Sequence, residues 1–250
     1  MTESLSSSRP WPVRRLEPLS VEAGLCAWRA SMLGNPAYAS YVKVHPSLLV
    51  IEPEDDDAVL ARVAEHAPHM PVAIRMNEPA FVRRFEAQVR ERIEKLGRSK
   101  AEMVIVNVED TSDLKSGGLI QVLFSLREHR VVEHVGLAAL DVLAAEWIAH
   151  HTAARVLMFP FGIDDQQARY RLLPLVKELG QVCLASQVTP ADEASLSFAL
   201  GAGSLVLPVC DQPLPAGIEP VTDAQVESSW QTYQASHKAP PPLPRSRPPE

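Results

Sequence analysis

The chain has no run of the ~18–20 apolar residues that a bilayer-spanning helix needs. Its first fifteen residues are Ser-rich, carry Pro10 and Pro12, and lack the apolar centre of a secretory leader. Cysteine is scarce. Cys26, Cys183 and Cys210 are odd in number, widely spaced and without metal-ligand spacing, as expected of buried thiols in a reducing compartment rather than of a disulfide framework. No H-E-x-x-H or H-x-x-x-H appears, no G-x-S-x-G elbow, and no G-x-G-x-x-G after any strand. Positive charge is short as well: 24 Lys and Arg stand against 31 Asp and Glu, a formal net charge of −7. That balance argues against nucleic acid or an anionic membrane as partner. The absences predict a cytoplasmic chain and leave its chemistry open.

What is present is a core. An apolar fraction of 46% over 250 residues supports one large domain. Continuous apolar runs predict strands at Leu48–Ile51, Pro71–Met76, Glu102–Val108, His134–Leu137, Arg155–Phe161, Gln181–Ser186 and Ser204–Val209, with a weaker one at Leu19–Cys26 broken by Glu22 and Gly24. Helical periodicity separates them. Phe81, Phe85, Val89, Ile93 and Leu96 mark one helix ended by Gly97. Asp55–Asp57 offer cap and first-turn carboxylates for another carrying Val59, Leu60 and Val63. Further helices are expected at Leu119–Glu128, Ala138–His150, Asp165–Leu179, Ala191–Leu200 and Thr222–His237.

Eight short strands alternating with helices predict an α/β fold, a closed (β/α)8 TIM barrel, rather than an open sheet. The expected boundaries are a disordered 1–15, a barrel over 16–238 and a Pro-rich disordered tail over 239–250. The tail would sample polyproline II. Its P-P-L-P-R resembles an SH3-type ligand, although a plain low-complexity end is the simpler expectation. Around Gly34, Asn35 and Pro36 the sequence reads as loop without a crossover helix. This shortened N-terminal part is expected to leave one side of the barrel uncovered, an apolar edge open to a protein partner.

From Phe81 to Val209 the order of pieces resembles the aldo-keto reductases. V-R-E-R-I-E-K-L-G-R-S-K (Val89–Lys100) resembles the family's helix ending S-L-x-x-L-G, and Arg130–Ala139 its G-K-[IV]-R-x-[IL]-G-[LV]-S-N. L-L-P-L-V-K-E-L-G-Q-V-C-L-A-S is similar to its L-x-x-x-C-x-x-x-G-[IV]-x-[VL] segment, and Phe198–Val209 to the segment ending [IV]-I-P-G. The resemblance implies a barrel that binds NADP and reduces carbonyls, with a Tyr as general acid tuned by Lys and Asp, and a His orienting the substrate.

Aligned by strand ends, Arg75 stands at the Lys position, Asn107 at the His position and Glu52 near the Asp position, with no Tyr following Glu52. Tyr38 and Tyr41 lie upstream of that strand. The carboxamide-gripping Ser-Asn pair falls on Ala138–Ala139, the Gln on Met158, the nicotinamide-stacking aromatic near Ser186–Gln187, and Asp211 follows the last strand where a phosphate loop would stand. Strand ends and following loops carry Glu52, Glu54, Asp55, Glu78, Glu109, Asp110, Asp113, Asp164, Asp165, Asp192 and Asp211 against Arg75, so an acidic mouth is expected.

Three readings follow. The first is a catalytically degenerate barrel acting as a binding or regulatory protein, with no cofactor and Arg75, Asn107 and Glu52 as vestiges. The second is a divergent NADP-dependent reductase in which Arg75 and Asn107 polarise a carbonyl. The third is a metal-assisted barrel enzyme using Glu52, Glu109 and Asp110 as oxygen ligands.

Overall fold

A computed structural model describes residues 14–16, 19, 21–24, 26–79, 81–115, 118–162, 167–186, 188, 193–201, 206–214 and 231. Eight strands close into one parallel barrel. They are β3 (Ala27–Arg29), β4 (Leu49–Ile51), β5 (Val72–Met76), β6 (Ala101–Val108), β7 (Val132–Ala139), β8 (Val156–Pro160), β9 (Val182–Ser186) and β10 (Val206–Cys210), with β10 pairing back onto β3 through Val209↔Ala27 and Cys210↔Trp28. The fold is the (β/α)8 barrel that the alternating pattern predicts.

Alternation along each strand divides the core in two. Ala27, Val50, Ala73, Ile105, Val156 and Leu184 belong to the cluster filling the lumen. Trp28, Leu49, Ile74, Val104, Leu157 and Cys183 belong to the layer under the helices. Gly136 sits in the lumen wall where an added Cβ would lie 2.8 Å from Val156 Cβ and 2.9 Å from its carbonyl oxygen, so β7 and β8 meet there only because the side chain is absent.

The helices are α1 (Pro36–Val44), α2 (Asp57–His66), α3 (Val82–Lys95), α4 (Thr111–Lys115), α5 (Gly118–Glu128), α6 (Val142–His151), α7 (Leu173–Leu179) and α8 (Glu193–Leu200). Cap chemistry sets many of their ends. Asp56 accepts from Val59 N at 2.9 Å to start α2, and Gly97 at φ +67° stops the chain after α3. Asp141 accepts from Ala144 N at 2.8 Å to start α6. Asp141→Ala should therefore lower stability by about 1 kcal/mol, read as a shift in the urea midpoint at unchanged slope; no shift would mean that the exposed cap is replaced by water without loss.

The N-terminal quarter departs from expectation. The strand expected at Leu19–Cys26 is a two-stranded antiparallel ribbon of β1 (Arg14–Leu16) and β2 (Val21–Ala23), and the first barrel strand begins only at Ala27. Leu16, Leu19, Val21 and Ala23 pack onto the lumen cluster. His134, near the start of β7, donates from Nε2 to Leu19 O at 2.8 Å, so the ribbon closes the barrel at its N-terminal end. The expected loop at Gly34–Pro36 is a short 3-10 turn (Ala30–Gly34) leading into α1. Asn35 caps α1 through Ala37 N, and Pro36 stands in its first turn, so the residues read as turn signals are helix-start signals. That side of the barrel is consequently covered. Trp28 is fully buried, donates from Nε1 to His45 O at 2.8 Å and meets Tyr41 edge-on at 5.6 Å.

Two smaller differences are local. Ala138–Ala139, expected to open a helix, end β7 instead, and α6 begins after its Asp141 cap. The helix expected at Asp165–Leu179 contains a π turn (Ala168–Leu172) before α7. Pro174 has no N–H to close an α-type bond there. Residues 1–13, most of the helix expected at Thr222–His237 and the tail from 239 lie outside the described residues. Among the described residues no helix is long and apolar enough to cross a membrane.

Candidate functional site

Side chains at positions i, i+2 and i+4 of a strand share a face, so the residue two beyond the last lumen-filling one points into the mouth. On six consecutive strands that residue is polar: Ser186 follows Leu184 on β9, Asp211 follows Val209 after β10, and four more continue round the barrel. Arg29 follows Ala27 on β3, Glu52 follows Val50 after β4, Arg75 follows Ala73 on β5, and Asn107 follows Ile105 on β6. The structure brings all three sequence-derived candidates together. Arg75 donates from Nη1 to Glu52 Oε2 at 2.9 Å and from Nε to Asn107 Oδ1 at 2.6 Å. Asn107 passes the chain on by donating from Nδ2 to Asn77 Oδ1 at 2.8 Å.

Arg29 is the residue that sequence reasoning missed. Its Nη1 lies 3.7 Å from Glu52 Oε1, beyond hydrogen-bond range but within ion-pair range. The signal was available in A-W-R, once the first barrel strand is placed at Ala27–Arg29 rather than before it. The cluster thus brings two guanidinium groups to Glu52, and Asp211, two beyond the lumen residue Val209, follows the neighbouring strand β10 beside Arg29. Of the carboxylates expected to make the mouth acidic, Glu54, Glu78, Glu109 and Asp211 are among the described residues. Asp55 accepts from Glu52 N at 2.7 Å in the turn after β4, and Asp110 caps α4 by accepting from Ser112 N at 2.8 Å. Asp164, Asp165 and Asp192, and the side chain of Asp113, lie outside the described residues.

Glu52 is the pivot and is nearly enclosed, its side chain 4% exposed. Its backbone is held from two sides. Arg92 on α3 donates from Nη1 to Glu52 O at 2.9 Å and from Nη2 to Pro53 O at 2.6 Å, while Asp55 takes the Glu52 N–H. Burial raises the Asp55 carboxyl above its usual range; the hydrogen bond from Glu52 N opposes that, and the neighbouring Glu52 charge adds to it. A polar cleft of about 370 Å³ opens beside this loop between α2 and α3, with Asp55, Asn77 and Arg92 on its walls.

The phenols do not join the cluster. Tyr38 and Tyr41 are on α1, packed against the outer core layer rather than in the mouth. Tyr41 stacks on His45 at 4.1 Å and accepts from Leu214 N at 3.3 Å. Burial pushes its hydroxyl up to about 12, the Leu214 hydrogen bond opposing. A proton held that tightly is poorly suited to general acid work near neutral pH.

The opposite half of the mouth carries no charged side chain where β7, β8 and β9 end. Ala138, Met158, Pro160 and Ser186 occupy the inward positions at the ends of β7, β8 and β9, and Met158 is fully enclosed. Ala138 and Ala139 have no side-chain donor, and a thioether stands where an amide would be needed. Ala138, Ala139 and Met158 therefore offer a nicotinamide carboxamide no side-chain donor. Nor does the donor set fit a hard cation: Glu52 is ion-paired to two guanidinium groups, and among the described residues no three His, Cys, Asp or Glu side chains form a group able to hold a metal.

No family model matches the chain. No curated protein sequence matches it either. Solved structures do. An aldo-keto reductase from Bacillus halodurans in its holo form superposes with a TM-score of 0.71 at 12% identity, covering 89% of this chain and 96% of that one. The glycerol dehydrogenase from Gluconobacter oxydans gives 0.66 at 11% identity, over 97% and 100%. An aldo-keto reductase from Klebsiella pneumoniae in complex with NADPH gives 0.63 at 12%, over 96% and 98%. The chain therefore has the fold of the aldo-keto reductase superfamily. At such identities the likeness establishes the fold and leaves the chemistry to the residues of the site.

Proposed function

We propose that this chain is a binding or regulatory barrel without hydride-transfer chemistry. The observation that carries this reading is the composition of the mouth. The base of the expected site, Glu52–Arg75–Asn107, is hydrogen-bonded to itself, and both candidate phenols are on the outer face of the wall. Arg75 stays charged near neutral pH and cannot tune an acid by sharing its proton as a Lys can. Asn107 donates a hydrogen bond but relays no proton. The absence of donors at Ala138–Ala139 weighs the same way against a bound cofactor. The few cysteines, Cys26, Cys183 and Cys210, are all buried, which suits a cytoplasmic setting.

A second reading, a divergent NADP-dependent carbonyl reductase, is favoured by one observation: Glu52, Arg75 and Asn107 occupy three successive strand ends and touch one another, as the resemblance implies for Asp, Lys and His. Fluorescence titration with NADPH and NADH separates the two. We expect no saturable binding at cofactor concentrations on the order of 1 mM, a limit corresponding to about −4 kcal/mol. Saturation near micromolar concentrations would overturn the binding-protein reading and call for a carbonyl-substrate screen.

A further inference from the structure

Glu52 presents one satisfied and one unsatisfied oxygen. Oε2 accepts from Arg75, but Oε1 is buried and has no hydrogen-bond partner. The nearest cation, Arg29 Nη1 at 3.7 Å, is too far to donate to it. Leaving such an acceptor dry is unfavourable, and more so when it is charged. Arg29 itself is only 29% exposed along its side chain, and that 3.7 Å approach is its sole polar contact among the described residues. Arg75 uses Nε and Nη1 within the cluster and leaves Nη2 without a partner there. A buried acceptor without a donor thus lies beside partly exposed guanidinium groups with nitrogens to spare, all at one mouth.

Those demands narrow the ligand. Two guanidinium groups with nitrogens left over from the cluster attract an acceptor and repel an amine. Planar guanidinium groups match a carboxylate geometrically. A ligand with acceptors alone would press lone pairs against Glu52 Oε1, so the group facing that oxygen must carry a proton, and a hydroxyl supplies one without adding positive charge. We propose that the mouth binds a small hydroxy carboxylate, its acid group on Arg29 and Arg75 and its hydroxyl donating to Glu52 Oε1. The small inward residues across the mouth, Ala138, Pro160 and Ser186, suit a compact carbon skeleton on that side. This ligand presupposes a barrel that binds rather than reduces.

The test is a calorimetric titration of the full chain with lactate, propionate, 1,2-propanediol and inorganic phosphate as probes. Propionate lacks only the hydroxyl, and the diol only the acid. Lactate should bind, with propionate weaker by about tenfold, the worth of a hydrogen bond to a charged group, and the diol not measurably. Arg29→Gln should weaken lactate by at least about tenfold, and Arg29→Lys should restore part of the loss. Equal affinity for lactate and propionate, tighter binding of phosphate than of lactate, no lactate binding, or lactate binding indifferent to Arg29→Gln would each overturn the assignment. The propionate comparison uses the unaltered protein, so an unstable variant does not spoil it. The cofactor titration is a separate measurement. No lactate binding without NADPH binding removes the ligand and leaves the binding-protein reading. Saturable NADPH binding removes that reading whatever lactate does.

Discussion

Gly136→Ala should destabilise the barrel by about 3 kcal/mol, the upper end of the cost of adding one methyl group to a packed core. The new Cβ would stand 2.8 Å from Val156 Cβ, 2.9 Å from Val156 O and 3.2 Å from Ile105 Cγ1. A flexible side chain could turn aside from such a contact, but the second of these atoms is backbone. It belongs to a residue paired in register with Gly136 across the β7–β8 ladder, and Ile105 is its partner on β6. Relief requires the ladder to spread on one side or the other, and a closed barrel transmits that spreading to its neighbours. Gly118→Ala is the control. It opens α5, has nothing within 4 Å of its added Cβ, and should be neutral or slightly stabilising, by up to about 0.5 kcal/mol. Urea unfolding of both variants tests the pair. A Gly136→Ala midpoint indistinguishable from that of Gly118→Ala would mean that β7 and β8 are not held as close as the structure places them.

The contrast between these two glycines bears on what a sequence can convey. The strands from β5 to β9 and the helices α2, α3 and α5 stand within one or two residues of the expected positions. Their signals are local: apolar runs buried on both faces, and apolar residues at helical spacing with caps at the ends. The N-terminal quarter is misread because its signals are not local. A-W-R becomes a strand only by pairing with β4 on one side and β10, nearly two hundred residues away, on the other. Asn35 and Pro36 serve loops and helix starts equally well. Gly136 shows no special φ, and its steric role depends on Val156, which no sequence window contains.

The same distinction divides the site. Glu52, Arg75 and Asn107 were legible because each ends a strand that was itself legible. Arg29 was hidden with its strand. The unsatisfied oxygen of Glu52 is a fact of three-dimensional packing alone.

The largest effect within the site is expected at Glu52. Glu52→Leu should cost about 3 kcal/mol of stability, the lower end of the range for breaking a buried ion pair by removing one partner. The lower end applies because the partners retain access to water, the side chains of Arg29 and Arg75 being 29% and 24% exposed. The loss has two sources: Arg75 keeps its bond to Asn107 but loses its charge partner, and two guanidinium groups then face one another across a mouth that had a carboxylate between them. Arg75→Met alone should cost less, since Glu52 keeps Arg29 nearby. The double variant Glu52→Leu/Arg75→Met should recover much of the loss, because an apolar pair can replace a buried ion pair at little cost. A double-mutant cycle in urea should therefore give a coupling above about 1 kcal/mol. Coupling near zero would place the pair among solvent-screened surface contacts. Glu52 would then owe its enclosed position to the backbone bonds made by Arg92 and Asp55, and its carboxylate would be free to change partner without disturbing the fold.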